Sequence, residues 1–188
     1  MKPFFFSASL LCLALMGGGC LRGGSNLNPL SKPPDPTNGH LIKGVANTTV
    51  YYLGQDGKRY VFPNDKTYLS WFPTFSYVKN ISDEELIKSP LGGNVTYKPG
   101  TRLVKIETDP KVYAVTRGGV LRWIESEEVM RQLFGTDWKT QVDDLPDPFF
   151  VNYKSGPSIT SANQFSPKDE EKNTTSIDQD KGLSTPAT

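Results

Sequence analysis

Residues 109–124, DPKVYAVTRGGVLRWI, nearly restate residues 47–62, NTTVYYLGQDGKRYVF, at an offset of 62 positions. At that offset Leu41, Ile42 and Lys43 fall on Leu103, Val104 and Lys105, Val50 and Tyr51 on Val112 and Tyr113, Asp56-Gly57 on Gly118-Gly119, and Phe62 on Ile124. After a two-residue insertion the offset becomes 64, and Ile81 meets Leu145, Asp83 meets Asp147, Leu86 meets Phe150, Gly92 meets Gly156 and Val95 meets Ile159. Apolar positions, turn glycines and lysines keep step, which reads as an internal duplication. A unit of about 60 residues excludes little water by itself, so two such units are expected to complete one core.

Each unit has a legible local pattern. Residues 50–53 and 58–62 are short and rich in β-branched and aromatic side chains, with Asp56-Gly57 between them and Gly118-Gly119 at the matching place. Both dipeptides tolerate two successive positive φ angles, which a type I′ hairpin turn demands. A short strand at 41–43 or 103–106 precedes each hairpin. Helices follow, started by Asn64 and Ser126 as caps, with Tyr68, Trp71 and Phe72 on one apolar face and Val129, Met130, Leu133 and Phe134 on the other. Ser82 to Glu85 reads as a capping box for a further short helix in the first unit. The second unit has PDPFF there, enough for a single turn. NVTYKPGTRLVKI predicts strand, Pro-Gly turn and strand, a hairpin joining the units. The expected fold is α+β: two tandem hairpin-plus-helix units, 40–100 and 101–159, packed into one small domain between disordered termini.

The N-terminus carries an address. Lys2 precedes an uncharged apolar run from Phe4 to Met16, shorter than the roughly 20 residues a bilayer span needs. Gly17, Gly18, Gly19 and then Cys20 follow, so residues 1–19 read as an export signal. A cysteine directly after small residues resembles the lipobox of bacterial lipoproteins, in which that cysteine is acylated; the resemblance implies a lipid on Cys20. The pattern departs at Gly17, where the family usually has Leu. Ordinary secretion and an uncleaved anchor are the alternatives. Residues 20–39, rich in Gly, Ser, Asn and Pro, read as a flexible tether. Residues 160–188 are polar and poor in large apolar side chains, and read as a disordered tail.

With the repeat in view, the chain resembles a family of uncharacterised tandem repeats in exported bacterial proteins, many of them from Parcubacteria-type organisms. The residues that carry the likeness are Leu41-Ile42-Lys43, Val50-Tyr51, Gly57-Lys58-Arg59 and Val78 through Gly92. The second copy keeps LVK and VY but has Gly119-Val120-Leu121-Arg122 in place of the Gly-Lys-Arg turn. The resemblance implies a repeat architecture in the cell envelope and no particular activity.

Chemistry is scarce in this sequence. Lys plus Arg is 21 against 20 for Asp plus Glu, so there is no cationic surplus to draw nucleic acid. Cys12 and Cys20 both lie before the folded segment and the single histidine, His40, stands at its margin. A Ser-His-Asp or Cys-His site, a thiolate zinc site and a phosphate loop are therefore not expected, nor is any cofactor or metal. Carboxylates at Asp83-Glu84-Glu85, Glu127-Glu128, and Asp143-Asp144 with Asp147 leave a glycoside hydrolase as a third reading. Helix starts and a proline turn account for them more simply. Aromatic and cationic side chains suit stacking on sugars or anchoring a protein. Tyr60, Arg122, Arg59 and Trp138 are the candidate partner-binding residues, although core packing is the simpler expectation for any Trp. The expected function is a non-catalytic, lipid-anchored surface module for cell-wall polysaccharide or surface protein; the alternative is a structural envelope lipoprotein without a specific ligand.

Overall fold

The computed structural model describes residues 40–183. The export signal, the tether with Cys20, and positions 184–188 lie outside the described residues.

The chain opens with β1 (His40–Gly44), β2 (Tyr51–Leu53) and β3 (Arg59–Val61), then α1 (Asp65–Trp71) and a 3-10 turn at Phe75–Tyr77. β4 (Lys79–Ile81), α2 (Asp83–Ile87) and β5 (Leu91–Asn94) follow. These strands form one five-stranded sheet in the order β4-β1-β2-β3-β5. Its three central strands pair antiparallel, and β4 and β5 add parallel at the two edges.

A second sheet follows. β6 (Leu103–Ile106), β7 (Val112–Thr116) and β8 (Val120–Trp123) lead to α3 (Glu127–Phe134) and a 3-10 turn at Trp138–Gln141. β9 (Val142–Leu145), α4 (Asp147–Phe150) and β10 (Lys154–Ser155) complete it. The order is β10-β8-β7-β6-β9, with antiparallel pairing inside and parallel strands at both edges.

The helices start where the sequence provides caps. Asn64 accepts from the Thr67 amide, Ser82 from Glu85 and Ser126 from Val129, each offsetting an orphan donor of a first turn. Tyr68 and Trp71 of α1 and its C-cap Phe72 are buried against Leu41 and Tyr52 of the first sheet and Phe62 just after β3. On the second sheet successive residues alternate faces. Leu103, Val112, Ala114 and Ile124 meet Val129 and Met130 of α3, whereas Val104, Val115 and Leu121 face Tyr97 and Leu145.

Three local expectations change. Residues 95–102 do not close a hairpin, because β5 and β6 belong to different sheets. Val95 N–H still donates to Val61 O of the first sheet at 2.8 Å, and Gly100 N–H already donates to Val115 O of the second at 3.0 Å. The segment is a crossover between sheets. Next, the two hairpin loops differ. Gly118 and Gly119 adopt φ of +76° and +66°, while the first loop is longer and is closed by Gly54 N–H to Lys58 O.

The third change concerns the tail. Residues 161–183 are ordered, with a 3-10 turn at Ala162–Gln164, then α5 (Pro167–Asn173) and α6 (Ile177–Lys181). Phe165 joins the core under α3, and Ile177, 1% exposed, enters the core of the first sheet. A polar composition does not preclude order when two apolar anchors meet a preformed core and the buried carboxylates receive donors.

Candidate functional site

Of the four residues proposed from sequence, Arg122 lines an open groove. This arginine lies on β8, next to the edge strand β10 of the second sheet, and its Nε donates to Pro157 O at 2.9 Å and its Nη1 to Gln164 O at 3.1 Å. Arg117, in the adjoining hairpin loop, donates from Nη2 to Asn173 O at 2.7 Å, and its amide to Glu170 Oε2 at 3.3 Å. Between these arginines and the tail lies a groove of about 350 Å³, with Gln164, Phe165, Ser166, Asp169, Glu170 and Asn173 as its remaining walls. That volume lies in the range of about 300–1,000 Å³ common to small-ligand sites.

Donors and acceptors share this groove, with two guanidinium groups and two carboxylates among its walls. Tail carbonyls hold both arginines, with Pro157 O also bonding Arg122, and six of the groove's lining residues belong to the docked tail. Reading the tail as disordered hid six of its eight lining residues from sequence reasoning. Ser166 as a cap directly before Pro167, with Asp169 and Glu170 in the first turn, was the signal available.

The other three candidates are structural. Tyr60 is 5% exposed, because the middle residue of β3 points into the core. Its hydroxyl donates to Asp56 Oδ2 at 2.7 Å and Lys181 Nζ lies 4.9 Å from its ring centre. Burial, and then Asp56, push the phenol well above its ordinary range. Trp138 is 8% exposed in the core under α3, so it offers no face for stacking. Arg59 turns inward to carbonyls at the end of α2, donating to Leu86 O at 2.5 Å and to Ser89 O. It supports α2 and is no free anchor.

The carboxylates considered for hydrolysis sit apart. Asp83, Glu84 and Glu85 open α2, and Glu127 and Glu128 open α3. Asp143 is buried and held by Arg102 Nε at 2.9 Å, Arg102 Nη2 at 3.0 Å and Lys66 Nζ at 3.1 Å. Burial alone would raise its carboxyl, but these two cations outweigh burial and hold it below the ordinary Asp range. Among the described residues no cluster of His, Cys, Asp and Glu is arranged to hold a metal ion.

No protein-family model, curated protein or solved structure matches the chain.

Proposed function

We propose that this chain is an exported binding module, anchored by a lipid on Cys20, whose folded head holds polar envelope polymer in the groove beside Arg122. One observation carries this reading: Arg117 and Arg122, bonded to the tail carbonyls of Asn173 and Gln164, line one groove with Asp169, Glu170 and Phe165. A neutral, hydroxyl-rich chain needs both donors and acceptors, and an aromatic edge gives its apolar faces somewhere to rest. The balance of charges disfavours strongly ionic ligands.

We also infer that the head arose by duplication, in line with the family resemblance of its sequence. In support, both sheets place an antiparallel trio between two parallel edge strands in corresponding order. The neighbourhood of Gly92 and Gly156 agrees, since each lies on a parallel edge strand or just after one, against side chains of the adjacent strand.

The test is retention of purified residues 40–183 on isolated envelopes and on purified wall polysaccharide. Arg122→Ala lowers retention several-fold with the melting temperature little changed. Equal retention by the variant would remove the groove from the account, and capture of protein in preference to polysaccharide would replace the ligand class.

A further inference from the structure

We propose that the recess between the two hairpin loops, 54–58 and 117–119, is a binding site for acidic peptide segments of the pattern aliphatic-Asp-x-Asp, and that residues 174–183 are its tethered occupant. Ile177 fills the apolar end of the recess, packed with Leu41, Tyr52 and Tyr60. Asp178 takes the first loop: Gln55 N–H donates to Oδ1 at 2.9 Å, and the Tyr52 hydroxyl donates to Oδ2. Asp180 takes the second: Gly118 N–H donates to Oδ1 at 2.8 Å, and Thr96 Oγ1 to Oδ2 at 3.3 Å. All four donors belong to the body of the fold, two beside each loop. One apolar anchor with two carboxylates on backbone amides is a division of labour found in peptide recognition, where the pocket gives affinity and the polar contacts give register.

The occupant has the properties of a ligand that happens to be covalently attached. It supplies no strand to either sheet, since both are assembled from residues 40–155. Its departure breaks no sheet hydrogen bond. α6 has five residues and α5 seven, too few for either to persist alone in water, so the segment takes its shape from the recess. An acidic segment on another protein presenting the same pattern meets the same four donors. The walls of the Arg122 groove, residues 164–173, have their own anchor at Phe165, so this proposal does not depend on what that groove binds.

The probe is a fluorescein-labelled synthetic peptide of residues 174–183, read by anisotropy against two full-length chains. One is unaltered. The other carries Ile177→Ala and Asp178→Ala, which weaken its own tail and leave Tyr52, Gln55, Thr96 and Gly118 in place. The altered chain, folded by circular dichroism, binds the peptide at least about ten-fold more tightly, because in the unaltered chain the tail competes at an effective concentration of about millimolar. A peptide with the same two alanines binds neither chain. Equal affinity for both chains, or no binding by the folded variant, overturns the proposal. If the variant does not fold, a full-length chain with a protease site between Thr160 and Ser161 replaces it. After cleavage, exchange of the native segment for labelled peptide supports the site; loss of structure or failure to exchange refutes it.

Discussion

Lys66, at the start of α1 on the first sheet, reaches across to Asp143 of β9 in the second, with Nζ 3.1 Å from Oδ1. Arg102 grips the same carboxylate in bidentate fashion. The three form a charged rivet between the halves, and its anion is the buried member.

Asp143→Asn removes that anion and leaves two partly exposed cations, which water can reach. We expect a loss of about 2 kcal/mol, below the range for breaking a fully buried pair. Because the native carboxyl titrates below the ordinary value, its stabilisation is complete above a pH of about 4 and drains away as pH falls through the native value. Melting curves from pH 7 to 2.5 should show the gap between parent and variant closing on the acid side.

Asp180 should behave with the opposite sign. Burial raises its carboxyl above the ordinary Asp range, and the Gly118 amide only partly offsets this. Stability linked to this group is greatest below a pH of about 4 and is lost as pH climbs through the raised native value. Asp180→Asn, whose amide oxygen still accepts from Gly118, should therefore gain on the parent between pH 4 and 7. A variant that falls further behind as pH rises would contradict this.

Tyrosines set an alkaline limit. Burial pushes the Tyr68 hydroxyl to about 12, and those of Tyr52, Tyr60, Tyr97 and Tyr153 higher. Their contribution is intact below a pH of about 10 and is lost as pH rises towards the native values. Absorbance at 295 nm should show these phenols ionising only with a cooperative unfolding step. Gradual ionisation with near-UV dichroism retained would count against their burial.

A methyl group at Gly92 would lie 2.6 Å from Tyr60 Cζ, and the ring has no room to retreat inside the core. Gly92→Ala should cost about 1–3 kcal/mol, as overpacking does. At Gly156 the nearest atom is Val120 Cγ1, a methyl on a half-buried side chain, so Gly156→Ala should cost less. Denaturant titration of the two variants gives the comparison.

Much of the frame was readable from sequence because it depends on local rules. Asn64, Ser82 and Ser126 cap where cap chemistry says they should, and Tyr68, Trp71 and Phe72 bury the face their spacing implies. What failed depends on contacts between distant residues. At the offset of 62 Tyr60 falls on the charged Arg122, yet β3 and β8 stand in different surroundings: one under Lys181 and Asp56, the other against the carbonyls of Pro157 and Gln164. Composition averaged over 160–188 concealed Phe165 and Ile177, two side chains that decide the order of the whole segment.

β1 is an interior strand, bonded to β2 on one side and β4 on the other. A pull on the chain ahead of His40 therefore arrives in the middle of a sheet. Both ladders must slip together in shear, whereas an edge strand could be peeled off bond by bond. A head moored through its N-terminus would thus meet drag with its mechanically stronger attachment.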